Sequence, residues 1–201
     1  MNKMVLASNN AGKLAEFSRL LAELNIDIVS QGSLNVPECD EPFQTFVENA
    51  LRKARHASSL TGLPALADDS GICVPALNGA PGVQSARYAD VLDDGLSKDA
   101  RNSQKLIHDL STQTDKRAYF YCVLVLVRHP NDPHPIIVDG QWWGEVVDQP
   151  EGEGGFGYDP HFYLATLNKT AAQLDKVDKN KISHRGQAVA RLIDKLRSES
   201  V

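Results

Sequence analysis

Two long apolar segments in the middle of the chain constrain its fold more than any other feature. Residues 118–127 are almost uninterruptedly apolar, and residues 136–147 form a second segment rich in β-branched and aromatic side chains. Ten residues are too few to cross a bilayer as a helix, which takes about 20, so we interpret both segments as strands. The short connection at 129–135 predicts an antiparallel hairpin.

Shorter apolar runs and helical patterns alternate on both sides of this hairpin. Further strands are predicted at 5–7, 26–29 and 64–67. Helices are predicted where apolar residues recur with helical spacing, at 14–24, after Thr45, from Ser97 to Leu110 and after Ser183. This order predicts an α/β fold with an elongated mixed β-sheet flanked by helices. We expect a single domain over residues 1–201, with two lobes that share one core.

Charge and cysteine content limit the possible partners and compartment. The chain has 21 Lys and Arg against 26 Asp and Glu, a net charge of -5, which argues against non-specific nucleic-acid binding. Cys39, Cys73 and Cys122 have no paired spacing, so neither a disulfide framework nor a zinc site is predicted. The N-terminal apolar run is too short for a signal peptide. We therefore expect a cytoplasmic protein with no nucleic-acid or membrane partner.

The turn after the first predicted strand has the composition of an anion-binding site. It consists of Ser8, Asn9, Asn10, Ala11, Gly12 and Lys13. A strand-to-helix turn presents free backbone N–H groups and the positive end of the helix dipole, and Lys13 adds a full charge. The glycine spacing is not that of a Walker loop. The alternative is a capped helix with a surface lysine, and spacing alone does not decide between them.

Two adjacent carboxylates, Asp68 and Asp69, are predicted at the end of the strand at 64–67, where Ser70 and Gly71 follow them. Neighbouring carboxylates repel each other unless a cation or hydrogen-bond donors offset them. Hard oxygen ligands of this kind suit Mg²⁺, and the acidic loop that contains Glu38 and Glu41 could add another ligand. The alternative is a turn with solvated acidic side chains.

A glycine-rich loop at 154–160 offers the groups that a nucleobase needs. Phe156 and Tyr158 have flat faces for stacking, Gly157 allows close backbone approach, and Asp159 can accept a hydrogen bond from a ring N–H. The alternative is a flexible loop whose aromatic side chains pack on the core.

The segment from Ser183 to Gly186 precedes the last predicted helix. His184 and Arg185 could donate to a base oxygen or a phosphate, with Lys179 upstream. The alternative is a helix cap at Ser183 beside a surface His-Arg pair.

The four motifs, in this order, make the chain similar to the inosine triphosphate pyrophosphatase family, and most similar to its bacterial branch. The resemblance extends from residue 5 to about residue 196. It also includes Thr45, Phe46, Glu48, Asn49, Ala50, Lys53, Ala54 and the segments 79–82 and 85–88.

The resemblance implies hydrolysis of ITP, dITP or XTP to the monophosphate and pyrophosphate with Mg²⁺, in a two-lobed homodimer whose nucleotide cleft lies between the lobes. It assigns Asp69 to metal binding and to accepting the proton of the attacking water. The other metal candidates are Glu38, Glu41 and Asp68. The phosphates and sugar would be bound by Ser8, Asn9, Asn10, Ala11, Gly12, Lys13, Lys53 and Ser70. The base would be contacted by Phe156, Gly157, Tyr158, Asp159, Lys179, His184 and Arg185.

Two rival functions are a nucleotide-binding regulator without turnover, which should lack the acidic pair, and a phosphotransferase, which would release a diphosphate.

Overall fold

The computed structural model describes residues 3–89 and 95–199, and within them the chain forms a seven-stranded sheet. Its strands are β1 (Lys3–Leu6), β2 (Asp27–Ser30), β3 (Ala65–Cys73), β4 (Arg117–Val127), β5 (Ile136–Val146), β6 (Phe162–Leu164) and β7 (Lys169–Thr170). The order in the sheet is β2-β1-β3-β4-β5-β6-β7. β1 is parallel to β2 and β3, whereas β6 is antiparallel to β5 and β7. The predicted mixed α/β sheet is confirmed.

The helices begin and end where local chemistry favours it. They are α1 (Ala11–Leu21), α2 (Phe46–Thr61), α3 (Lys98–Leu110), α4 (Lys176–Ile182) and α5 (His184–Glu199). Thr45 caps α2 by accepting the N–H of Glu48, and Gly62 ends it with a φ of 68°, a left-handed conformation that glycine adopts without strain. None of the helices within the described residues has the length and apolarity required to cross a membrane.

The chain divides into two compact units. The first contains the described residues within Met1–Asp69, Cys122–Gly140 and Gln187–Val201, and the second contains those within Ser70–Tyr121 and Gln141–Gly186. Each unit has a hydrophobic cluster of its own. Phe17 and Leu192 belong to the first cluster, and Phe120 and Phe162 to the second. The single domain with one shared core therefore stays a prediction.

The sequence predicted that the strand at 64–67 ends at the acidic pair, and this prediction is wrong. β3 continues through Asp68 and Asp69 to Cys73, and both aspartates are buried. The strand can continue because each carboxylate has a lysine partner, so neither requires full exposure to water. Gly71 lies farther along the strand, where a Cβ atom would collide with the backbone oxygen of Gly82.

Candidate active site

The turn between β1 and α1 is ordered by its own polar side chains. Asn10 caps α1, its Oδ1 accepting the N–H of Lys13 at 3.0 Å. Ser8 Oγ accepts the N–H of Asn10 at 3.2 Å. Asn9 Nδ2 donates to Glu38 Oε1 at 3.3 Å, which connects the turn to the acidic loop. Ala11 and Gly12 form the exposed first turn of α1, where backbone N–H groups favour an anion.

Two lysines of the first unit neutralise the carboxylates of β3. Lys13 Nζ lies 2.8 Å from Asp68 Oδ2 and 2.9 Å from its Oδ1. Lys53, on α2, lies 3.1 Å from Asp69 Oδ1 and 2.5 Å from Glu41 Oε1. The structure therefore places Lys13 beside Asp68, and Lys53 beside Asp69 and Glu41. The family resemblance assigned both lysines to the phosphates.

The Asp69 carboxyl is poised to hold a proton more readily than an ordinary aspartate. Burial is the largest influence and raises the pKa of Asp69. Lys53 lowers that pKa, but the carboxylates of Glu41 and Asp68 raise it, and the net shift is upward. A carboxylate with a raised pKa is a stronger base near neutral pH.

Lys53 keeps its charge in this setting. Burial is again the largest single influence and lowers the pKa of Lys53. The carboxylates of Asp69, Asp68 and Glu41 together raise it by more, so the net shift is upward. An ammonium group of this kind stabilises negative charge on a bound phosphate.

Asp159 holds the glycine-rich loop of the second unit through hydrogen bonds to its carboxylate. Its buried carboxylate accepts the N–H of Phe156 at 2.8 Å and the Nζ of Lys179 at 2.5 Å, both through Oδ2. The hydroxyl of Tyr158 donates to Ser85 O at 2.8 Å, and Tyr158 is buried. The stacking surface predicted for both aromatics is therefore available on Phe156 alone, whose side chain is 64% exposed.

The start of α5 places His184 and Arg185 in the second unit, where both are buried. The His184 ring stacks on Phe120, with ring centroids 4.9 Å apart. Arg185 Nη2 donates to Ser70 Oγ at 3.3 Å, so the residue after Asp69 in β3 touches the His-Arg motif. Ser183 Oγ accepts the N–H of Gly186 at 3.2 Å, which confirms the capping role. The motif is thus more than a surface pair.

Comparisons with known proteins place the chain in a family. The model of the Ham1 family matches residues 4–195. The chain belongs to the Ham1 family. A dITP/XTP pyrophosphatase of Ralstonia nicotianae is 61% identical over 98% of both chains. One of Nitrosomonas europaea is 63% identical over 98% of this chain and 95% of its own. The resemblance stated from the sequence is confirmed.

Solved Ham1 structures share the fold. The HAM1 protein of Coxiella burnetii has a TM-score of 0.92 and 48% identity, covering 98% of this chain and 100% of its own. The Ham1 protein of Staphylococcus aureus has a TM-score of 0.87 and 39% identity, covering 98% of this chain and 99% of its own.

The oxygen donors of this Ham1 chain fit a hard dication held by few protein ligands. Within residues 3–89 and 95–199, no three His, Cys, Asp or Glu side chains are close enough together to enclose a metal ion. Asp68 is paired with Lys13, and Glu38 contacts Asn9. Mg²⁺ is commonly bound by one or two carboxylates, with waters and phosphate oxygens completing the shell. Asp69, whose charge is disfavoured by burial, suits such an ion.

One residue beside Asp69 was named in the family resemblance but was given no role in the site. Asn49 is fully buried on α2, one turn before Lys53. Its Nδ2 reaches Asp69 Oδ2 at 3.5 Å and also donates to Phe43 O at 3.2 Å. Its Oδ1 accepts the N–H of Phe43 at 3.0 Å. A polar side chain on the apolar face of an amphipathic helix is the signal that could have revealed it.

Proposed function

We propose that this chain hydrolyses deaminated purine nucleoside triphosphates, namely dITP, XTP and ITP, to the nucleoside monophosphate and pyrophosphate. The observation that carries the proposal is the position of the Lys53 ammonium between Asp69 and Glu41. Asp68, the neighbour of Asp69 on β3, is paired with Lys13. The names of relatives at about 60% identity agree with this activity.

The polyphosphate is proposed to bind to the cationic groups of the first unit. Lys13 and Lys53 already lie beside carboxylates, and a substrate phosphate would compete for them as a stronger anion. The N–H groups at the start of α1 and the side chains of Ser8 and Asn10 would add directional donors. Ser70, which follows Asp69 directly, would contact the sugar or a phosphate.

Asp69 is proposed to take the proton of the attacking water. The raised pKa of Asp69 matches a general base better than that of a solvated aspartate would. Asn49 Nδ2 restrains the carboxylate, and Lys53 would stabilise charge that develops on the pyrophosphate leaving group. A bound Mg²⁺ would act as a Lewis acid on the phosphate oxygens, with Asp69, Asp68, Glu38 and Glu41 as its candidate ligands.

The base is proposed to be read by the second unit. Phe156 would stack on the purine, and Lys179, His184 and Arg185 are donors suited to a 6-keto oxygen. Adenine presents an amino group there and an acceptor at N1, so both polarities reverse. Oδ1 of Asp159 is our candidate acceptor for the N1–H of hypoxanthine, because Oδ2 already accepts from Phe156 and Lys179.

Discrimination against ATP should be large. Each buried polar mismatch costs about 1–3 kcal/mol, and two together correspond to roughly 10² to 10⁴ in kcat/KM at about 1.4 kcal/mol per tenfold. The test is a panel of purine and pyrimidine triphosphates assayed for pyrophosphate release with and without Mg²⁺. Equal kcat/KM for ITP and ATP would contradict the base-reading scheme, and release of a diphosphate would indicate a phosphotransferase.

Arg185→Ala tests the donor role within the same panel. We expect it to reduce activity on ITP more than on ATP, whereas equal losses would move Arg185 to a phosphate role. Arg191→Ala is the matched control, since Arg191 lies on the same helix in an exposed pair with Asp139.

We further propose a cytoplasmic homodimer. Free thiols at Cys39, Cys73 and Cys122 suit a reducing compartment. Trp143 is half-exposed and packs on Tyr119 with ring centroids 4.6 Å apart, and exposed aromatics are enriched at interfaces. Its neighbour Trp142 is buried in the second hydrophobic cluster. No nucleic-acid partner is proposed, because the net charge is -5.

A further inference from the structure

The position of the exposed Phe156 ring depends on two carboxylates that bind successive backbone N–H groups. Asp159 Oδ2 accepts the N–H of Phe156 at 2.8 Å. Asp99 Oδ2 accepts the N–H of Gly157 at 2.9 Å, although the two residues are 58 positions apart. Gly157 has a φ of 62°, so the backbone turns sharply at the second contact. The two bonds fix the peptide planes on both sides of the ring.

Side-chain packing does little to support the loop on the side of Asp99. A cavity of about 570 Å³ in the second unit is lined by Asp99, Gly155, Phe156 and Gly157 together with residues of α3. The Phe156 side chain is 64% exposed, and Lys179 Nζ lies 5.7 Å from the ring centroid. Where packing is sparse, a hydrogen bond to a charged group contributes a large share of local order.

Asp99 lies in the first turn of α3, two residues after the capping Ser97. A carboxylate there also stabilises the helix through the macrodipole, so a purely structural role is the competing explanation. The bond to Gly157 gives the same side chain a second partner, outside its own helix. An ordinary first-turn acid would have no effect on base selectivity.

We propose that Asp99 is a positioning residue for base recognition, which acts by holding the Gly157 N–H and thereby the Phe156 ring in its stacking position. The inference rests on the proposed function, because it assigns the Phe156 ring to the purine of the substrate. Asp99 touches neither the reacting phosphates nor the base in this scheme. Its effect passes through Phe156.

The test measures kcat and KM for ITP in Asp99→Ala and Asp99→Asn, with and without Phe156→Ala. In Asp99→Ala we expect KM to rise about tenfold, the effect of losing one charge-assisted hydrogen bond, while kcat stays within twofold. Asp99→Asn keeps an acceptor oxygen for the Gly157 N–H and should recover most of the loss. In the Phe156→Ala background, Asp99→Ala should change KM by less than twofold.

The control is Asp194→Ala, which removes an exposed carboxylate from a helix of the first unit and should leave both constants unchanged. An unchanged KM in Asp99→Ala would overturn the proposal, as would the same tenfold rise in the Phe156→Ala background. A fall in kcat with normal KM would also overturn it.

Amide hydrogen exchange separates this inference from the proposed function. Asp99→Ala should speed exchange at Gly157 more than tenfold, and Asp194→Ala should not. If the wild type releases no pyrophosphate from any triphosphate, the proposed function fails while the exchange measurement still tests the anchor. Unchanged exchange at Gly157 overturns the role of Asp99 whatever the substrate proves to be.

Discussion

Asp69→Asn is the most direct test of the proposed chemistry, because it changes one atom in a site whose contacts are defined. Asparagine matches aspartate in size and keeps an oxygen for Lys53, which lies 3.1 Å from Asp69 Oδ1. It cannot take a proton from water, and it binds Mg²⁺ poorly. Lys53 still has Glu41 at 2.5 Å, so no buried ammonium is left without a carboxylate.

The expected losses in rate and stability differ in size. Loss of a general base reduces turnover by roughly 10² to 10⁴, or about 2.7 to 5.4 kcal/mol of barrier at about 1.36 kcal/mol per tenfold. For stability, the attraction to Lys53 is lost, but so is the penalty for burying the Asp69 charge. Because these terms oppose each other, we expect the free energy of unfolding to change by less than about 2 kcal/mol.

The assay pairs steady-state pyrophosphate release from ITP with urea unfolding of the same preparations. Asp139→Asn is the matched control: it makes the same chemical change at an exposed ion pair with Arg191, and both kcat and stability should stay close to wild type. If Asp69→Asn retains activity within a fewfold of wild type, another group, such as Asp68 or Glu41, is the base.

Four further outcomes are expected. Exhaustive chelation of divalent cations abolishes turnover, and full activity after chelation would contradict the metal requirement. Sedimentation at micromolar concentration gives a species near twice the chain mass of 22.0 kDa, and Trp143→Glu shifts it towards the monomer; a wild type that is only monomeric refutes the dimer. In the pH profile of kcat/KM, the apparent pKa of the acid limb lies above 3.8, the ordinary pKa of aspartate. The reason is that the pKa of Asp69 is raised, so activity falls as the pH drops through that raised value. An apparent pKa at or below 3.8 refutes this. Gly155→Ala lowers the free energy of unfolding by at least about 1 kcal/mol more than Gly157→Ala does. Both glycines have a positive φ, but only at Gly155 would a Cβ atom collide with Asp159. Equal melting temperatures of the two variants would contradict this.

Local patterns in the sequence were sufficient for much of the fold. The apolar run at 118–127 and the segment at 136–147 became β4 and β5, which are neighbours in the sheet. The helix predicted after Thr45 became α2, which Thr45 caps. These features are readable because a strand or a helix must bury one face, and that requirement sets the spacing of its apolar residues. The short strands β6 and β7 were not predicted, because two or three residues are too few to show a period.

The sequence by itself determined which chemical groups the site contains, whereas the tertiary structure decided their partners. Asp68, Asp69 and Lys13 stand out in two separate motifs of the sequence, and the family resemblance adds Lys53. Their pairing was not readable, because each lysine meets a carboxylate contributed by a distant segment. For the same reason, the sequence predicted only the strand at 64–67, and the continuation of β3 through Asp68 and Asp69 to Cys73 became clear only with those lysine partners. The roles proposed for Asn49 and Asp99 rest on hydrogen bonds to residues far away in the sequence. Periodicity reports what a segment must bury, but a contact between distant residues depends on how the whole chain packs.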